Sequence, residues 1–314
     1  MLKICVMGGS GFVGTHLVNT LASLGHQIKV ISRRPERCRY LKTLPGVQVV
    51  STDFFASKIL ERQLDSFDVA INLVGILNSL GSNNFEQAHV KLTGRIAEAA
   101  QAVETPRLLH MSALNADENN GASEYLRSKG KAQNLVHAID HVKVTSFSPS
   151  VIFGPGDSFF NRFASLLKNV PGGFPLTCAK ARFAPIYVGD VVDAFVNSIN
   201  NKATFGKNYA LCGPQAYTLN EIVKYTAKLV NSKTLIVPLN NFFSKPVVWV
   251  TDKFPGAPIT MDNYKSMLQD SVCEQPVADE LGLTLHSLEA IVPLYLAGQD
   301  FAGKMDTFRE YANR

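Results

Sequence analysis

The sequence predicts a doubly wound α/β fold, a parallel sheet flanked by helices, followed by a smaller mixed α/β lobe. Three observations carry this reading. Short apolar runs alternate with stretches of helical period through the first half of the chain. The first of these runs, Lys3 to Met7, breaks into glycines that open straight into an amphipathic helix. And 314 residues that are 46% hydrophobic and only 18% charged, against the ~25% of an average globular chain, suit a large buried core.

The opening strand, Lys3 to Met7, leads into Gly8, Gly9, Ser10, Gly11, Phe12, Val13 and Gly14. Val13, Leu17, Val18, Leu21 and Leu24 then recur at helical spacing, and Gly25 is placed to end the helix. Gly8 permits a tight reversal, Gly11 lets backbone approach a pyrophosphate, and Gly14 allows the helix to pack closely on the strand. Both Gly9-x-Gly11-x-x-Gly14 and Gly8-x-x-Gly11-x-x-Gly14 are present. An anion would sit on the helix N-terminus, against unpaired N–H groups and the positive dipole end.

The second strand, Gln27 to Ile31, runs into Ser32-Arg33-Arg34. A carboxylate there would bind the ribose 2′-hydroxyl of NAD, whereas two guanidinium groups and a hydroxyl pair with a 2′-phosphate. The expected cofactor is therefore NADP(H) rather than NAD. The third strand, Val47 to Ser51, ends at Thr52-Asp53-Phe54. Asp53 and Phe54 are placed for an adenine, and Asp53 serves equally as a cap for a helix from Ser57. Val69 to Val74 is the fourth strand, and its end, Leu73-Val74-Gly75, permits close approach to a cofactor ribose. A long helix over Glu86–Ala102 precedes the fifth strand, Arg107 to Met111, which delivers Ser112 at its carboxyl end, the edge where ligands of open α/β sheets bind.

A helix over Glu124–His137 begins with Tyr125-Leu-Arg-Ser-Lys129. Tyrosine and lysine four apart share one helix face, and an ammonium near a phenol favours the phenolate. Tyr125 would exchange a proton with a substrate oxygen while a hydride moves at the nicotinamide, and Ser112 would hydrogen-bond the same oxygen. The sixth strand, Val142 to Phe147, enters the rigid loop Ser148-Pro-Ser-Val-Ile-Phe-Gly-Pro-Gly-Asp157, where Pro149 and Val151 line the nicotinamide pocket. The boundary falls here: residues 1–150 form the NADP(H)-binding half, some later segments returning to it, and 151–314 the substrate or partner lobe.

In that lobe, helices are predicted from Phe159 onward and over Val191–Asn200, Leu219–Val230 and Ser287–Leu296, with strands at Asn208–Leu211 and Thr234–Val237. Phe159, Phe160 and Phe163 are core or wall a pocket for an apolar substrate. Phe242 to Val250, with the only tryptophan and flanking lysines Lys245 and Lys253, reads as a covering helix in preference to an interfacial membrane element. Asp300 to Arg314 is a polar terminal segment.

The net charge of +5 suits small anionic ligands or an acidic membrane surface and, without a basic stripe, excludes nucleic acid as the expected partner. Cys5, Cys38, Cys178, Cys212 and Cys273 show no metal-ligand spacing, so no metal is expected and all five are expected as reduced packing residues. With no apolar leader before the first strand and no run of the ~18 apolar residues that a membrane span needs, the expected location is cytoplasmic.

Taken together, Gly8-x-x-Gly11-x-x-Gly14, Ser112 and Tyr125-x-x-x-Lys129 resemble the extended and atypical short-chain dehydrogenase/reductase superfamily. Tyr125 to Lys129, Pro149 to Asp157 with Asn161-Arg-Phe163, Met267-Leu-Gln-Asp270 and Ser287 to Leu296 resemble bacterial relatives of the NADPH-binding accessory subunit of mitochondrial complex I. That resemblance implies a Rossmann-like domain with tightly held NADP(H), a link to quinone or respiratory-membrane biology, and often no demonstrated reaction. Two positions depart from it: Ser148 replaces an arginine before the loop proline, and Lys91 replaces an asparagine that supports a proton relay. The leading expectation is an NADP(H)-dependent oxidoreductase of a small carbonyl, alcohol or quinone-like molecule, catalysed by Ser112, Tyr125 and Lys129. Its rivals are a non-catalytic NADPH-binding accessory or assembly factor, peripheral to a membrane complex, and a nucleotide-sugar epimerase or dehydratase.

Overall fold

The computed structural model describes residues 1–54, 56–79, 84–170, 172–252, 259–275 and 279–297; Lys253 and the polar terminal segment 300–314 lie outside the described residues. The chain runs β1 (Lys3–Met7), α1 (Phe12–Ser23), β2 (Gln27–Ile31), β3 (Val47–Val50), α2 (Ser57–Leu64), β4 (Val69–Asn72), a π-helical turn (Glu86–Lys91) continuing as α3 (Leu92–Ala102), β5 (Arg107–Met111), α4 (Glu124–His137) and β6 (Lys143–Pro149). It continues as β7 (Ile152–Phe153), α5 (Phe159–Asn169), β8 (Gly173–Leu176), β9 (Arg182–Phe183), β10 (Ile186–Tyr187), α6 (Val188–Ser198), β11 (Asn208–Leu211), β12 (Tyr217–Thr218), α7 (Leu219–Leu229), β13 (Leu235–Pro238), α8 (Asn241–Thr251), α9 (Met261–Ser266) and α10 (Leu288–Leu296).

The main sheet has seven strands in the order β11-β6-β5-β4-β1-β2-β3, and each neighbouring pair is parallel. Strands covered on both faces become largely apolar, which is why β1, β4 and β5 are legible as such. One face carries α1 and α6, with Val6, Leu17, Val18, Ile71, Leu109, Val191 and Phe195 in a shared core. The other carries α2, α3 and α4 over Cys5, Met7, Leu60, Ile96, Leu108 and Val136. This is the doubly wound, Rossmann-like α/β fold expected from the sequence.

The strand order reverses beside β1, so the carboxyl ends of β1 and β4 diverge and leave a crevice there. β11 comes from beyond the loop that leaves β6 and closes that side of the sheet: Phe147 in β6 packs on Phe195 of α6, ring centroids 4.3 Å apart, and on Tyr209 of β11. A separate apolar core unites Phe153, Phe160, Phe163, Leu176, Phe183, Ile222, Tyr264 and Val292, so these aromatics serve as core of the C-terminal lobe. Val248 of α8 joins it while Trp249 stays 58% exposed, as a covering helix requires. Among the described residues no helix is long and apolar enough to cross a membrane.

The expectation for the cysteines is overturned. Cys212, just after β11, is disulfide-bonded to Cys273, with Cα atoms 6.0 Å apart; only Cys5, Cys38 and Cys178 are free, and all three are buried. The partners are 61 residues apart in sequence and meet where the Ser271 segment bridges to Phe183 and accepts a hydrogen bond from Ser150, contacts that spacing does not encode. Closing a loop of that length is worth up to ~4 kcal/mol in a chain-entropy account. Reduction, or Cys273→Ser, is therefore expected to lower the denaturation midpoint without changing the fold. Denaturant titration with and without reductant measures it, and coincident curves would contradict the prediction.

Candidate active site

The glycines at the end of β1 divide the work sterically. Gly8 has φ +83°, and a Cβ on it would lie 2.9 Å from the Leu73 carbonyl carbon. A Cβ on Gly9 would strike Val30, and one on Gly14 would come within 2.3 Å of the Gly8 carbonyl oxygen. Gly11 differs: its added Cβ would meet only the Gly8 oxygen, at 3.3 Å, so its remaining side faces open space. Gly11 is also the N-cap of α1, with no side chain capping it. The first-turn N–H groups, next to Ser10, Phe12 and Val13, are thus left for an outside acceptor.

Beside this turn, Ser32 at the end of β2 is buried, lies 3.5 Å from Ser10 between hydroxyl oxygens, and accepts a hydrogen bond from the Arg34 N–H at 3.2 Å. Arg33 and Arg34 are exposed. Past β3, Asp53 is exposed and Phe54 is buried in the α2 side of the core, while the neighbouring Thr52 holds a buried hydroxyl without a partner among the described residues. The N-cap of α2 is Ala56, so Asp53 does not occupy the cap position.

At the end of β4, the Leu73 N–H donates to the Met7 carbonyl at 2.9 Å and the Val74 N–H to Asn72 Oδ1 at 3.1 Å. These bonds turn the chain so that Gly75 faces α4: a Cβ there would lie 3.0 Å from Lys129 Nζ. Lys129 is 4% exposed and donates to the Met111 carbonyl at 3.0 Å. It therefore spans the ends of β4 and β5, beside Ser112, whose buried hydroxyl has no partner among the described residues. Pro149 and Val151 enter from β6 by backbone: their carbonyls accept from Leu114 and Ile186, each at 2.9 Å. The loop beyond reaches α1, His16 Nε2 lying 3.0 Å from the Pro155 carbonyl oxygen.

Tyr125 stands one turn before Lys129, packed edge-on against Phe85 and His89 with ring centroids at 5.9 and 5.5 Å. The expectation that Lys129 would draw the phenol toward ionisation does not hold in this arrangement. Burial, and then the Asp262 carboxylate, push Tyr125 up to about 12, and burial pulls Lys129 down to about 8. The phenol is the resting form, and the lysine charge is spent on a backbone carbonyl.

Sequence reasoning passed over two residues here. The helix expected over Glu86–Ala102 opens with a π turn, whose wider winding shifts the side-chain register. Lys91 is consequently exposed, and His89 faces the site. His89 Nε2 accepts from the Ile76 N–H at 2.9 Å, so the proton of the neutral ring lies on Nδ1, donating to Ser128 Oγ at 2.8 Å. Burial, then Lys129, lowers His89 to about 3. A histidine four residues after Phe85 was the available signal. Asp262 had none: its carboxylate accepts from the N–H groups of Glu124 and Tyr125, from α9 of the other lobe.

A dinucleotide fits these residues. Along the carboxyl edge of the sheet the Thr52 hydroxyl after β3, two exposed guanidinium groups after β2, an uncapped helix N-terminus behind Gly11 after β1 and the Ser112 hydroxyl after β5 follow one another in the order a dinucleotide would meet them, both hydroxyls being without a partner among the described residues. Among the described residues no group of three or more His, Cys, Asp or Glu side chains is placed to hold a metal ion.

The family model described as the NAD dependent epimerase/dehydratase family matches residues 4–212. The mouse (Mus musculus) mitochondrial protein NADH dehydrogenase (ubiquinone) 1 alpha subcomplex subunit 9 is 27% identical over 316 residues, covering 97% of this chain and 80% of that protein. The ceramide reductase of Caulobacter vibrioides is 27% identical over 236 residues, covering 75% and 73%. Among solved structures, MoeE5 in complex with UDP-glucose and NAD superposes with a TM-score of 0.73 at 18% identity, covering 96% of this chain and 99% of that one.

Proposed function

The chain belongs to the NAD dependent epimerase/dehydratase family, and from that premise we propose that it is an NADP(H)-dependent oxidoreductase of a carbonyl or alcohol, with an apolar or quinone-like substrate. The observation that carries the reading is Lys129, which draws Gly75, Met111 beside Ser112, and the Tyr125 helix to one point at the carboxyl edge of the sheet. When bound there, a reduced nicotinamide would supply the hydride. Ser112 donates to the substrate oxygen, Tyr125 transfers its phenolic proton to that oxygen, and solvent restores the proton. Lys129 and Gly75 hold the nicotinamide-side ribose, and Pro149 and Val151 wall the ring. Gly8, Gly9, Ser10, Gly11, Phe12, Val13 and Gly14 hold the pyrophosphate, with Asp53 and Phe54 toward the adenine. In this division residues 1–150, with β11 added, serve the nucleotide, and the remainder of 151–314 serves substrate or partner.

The preference for NADP(H) rests on Ser32-Arg33-Arg34, where no carboxylate stands to repel a 2′-phosphate. Each charge-assisted hydrogen bond is worth ~1.5–3 kcal/mol. Replacing Arg33 and Arg34 together by alanine is therefore expected to weaken NADP(H) binding by about 10²-fold or more while leaving NAD nearly unchanged. Titration calorimetry with both nucleotides measures this. Tighter binding of NAD than of NADP by the unmodified protein overturns the assignment, and the same arginines weigh against an NAD-recycling epimerase.

A second reading has its own support. The mouse relative named as a subunit of mitochondrial NADH dehydrogenase matches nearly the full chain, which favours a bound nucleotide that is structural in an accessory or assembly protein peripheral to a membrane complex. Oxidation of bound NADPH by a panel of carbonyls and quinones separates the two, since only the first reading expects turnover.

A further inference from the structure

The helix that carries Tyr125 and Lys129 is fastened at its start by the other lobe. Asp262 of α9 accepts from the Glu124 N–H at 2.8 Å and the Tyr125 N–H at 3.2 Å. Ser266, one turn further along α9, donates to Ser123 Oγ at 2.7 Å, and Ser123 in turn caps α4 through the Leu126 N–H. Asn263, held in a capping box with Thr260, donates to the Leu77 carbonyl in the segment after β4 at 3.4 Å. One short helix thus touches both the start of α4 and the segment that follows β4.

An open helix N-terminus carries about half a positive charge and would favour phenolate at Tyr125, the second residue of α4. A full negative charge bonded to the first-turn N–H groups reverses that sign. Among the described residues, the other groups beside Tyr125 are Phe85 and neutral His89 from the π turn and its start, Lys129 one turn on in its own helix, and the exposed Glu124 next to it.

Building on the oxidoreductase reading, we propose that Asp262 is a positioning residue that seats Tyr125 from the C-terminal lobe and keeps it a proton donor, so that the site is built for the reductive direction. The elevated phenol of Tyr125, in which Asp262 is the second cause after burial, agrees with this. In the reductive step the Tyr125 O–H bond breaks, an O–H bond forms on the oxygen that was carbonyl, the electron pair arrives as hydride from the reduced nicotinamide, and water returns the proton to the phenolate. Activity of this kind is retained below the phenol pKa and lost as pH rises through it.

The test uses Asp262→Asn, which keeps an acceptor oxygen and removes the charge, beside Asp262→Ala, in the full chain. Fluorotyrosine labelling lowers the intrinsic tyrosine pKa into an accessible range, and the Tyr125 resonance is assigned by its loss in Tyr125→Phe. The ¹⁹F titration midpoint of Tyr125 is expected to fall by about one unit or more in Asp262→Asn, the size typical of removing a nearby like charge. NADPH affinity is expected to stay within about twofold of the unmodified protein. If turnover is found, the alkaline limb of its pH profile is expected to move down by the same amount. An unchanged or raised midpoint in a variant that still melts cooperatively and binds NADPH overturns the proposal, including the case where only the melting temperature falls. The titration needs no substrate, so a failure to find turnover counts against the oxidoreductase reading and not against this one.

Discussion

Gly11→Val is expected to yield a folded protein that no longer retains a nucleotide. Gly11 is the one glycine of the turn whose added Cβ would meet nothing but a carbonyl oxygen at 3.3 Å, so the branched side chain projects toward the pyrophosphate path and not into the core. Losing two bonds from helix N–H groups to a charged acceptor at ~1.5–3 kcal/mol each corresponds to about 10²–10⁴-fold in affinity. Gly14→Val makes the control. Its Cβ would sit 2.3 Å from the Gly8 oxygen and 2.6 Å from the Gly9 Cα, so that variant is expected to misfold. Calorimetric titration of NADPH against both, with circular dichroism for fold, checks the pair. Near-normal binding by a folded Gly11→Val protein would mean that the nucleotide does not cross this turn.

The second large effect is at Tyr125. Phenylalanine keeps the ring that packs on Phe85 and His89 and removes the only proton it can transfer. Loss of a general acid typically lowers turnover by ~10²–10⁴-fold, and nucleotide affinity should change little because the ring stays in place. In a deletion strain the two variants part company. If the protein is an enzyme, neither restores function. If the nucleotide is structural, Tyr125→Phe restores it fully at matched protein levels and Gly11→Val does not, and that outcome would refute the catalytic reading.

The buried parallel strands were the most legible part of the chain. Lys3–Met7, Gln27–Ile31 and Arg107–Met111 are found with the bounds read from their apolar runs, and the helix Glu124–His137 likewise, because burial on both faces or on one stripe leaves a periodic trace. What the periodicity does not record is contact between distant segments. The pairing of Cys212 with Cys273, the place of Asn208–Leu211 beside β6, and the Asp262 bonds to Glu124 and Tyr125 all join residues more than 60 positions apart. The π turn failed for the opposite reason. It is a local change of winding that a pattern built on 3.6 residues per turn does not register, and within it His89 is buried toward the site while Lys91, singled out by the resemblance, is exposed.

The late arrival of β11 also bears on how the protein is made. β6 pairs with β5 on one side, but its partner on the other side, with Asn208 opposite Ser146, is synthesised about 60 residues later. At ~5–20 residues per second, several seconds pass in which β6 is an open edge with unpaired N–H and C=O groups, and Phe147 lacks both Phe195 and Tyr209. The ribosome-bound chain therefore holds a nearly complete parallel sheet whose last strand is still a template for any passing strand. That interval, rather than the finished fold, is when misassembly competes with folding.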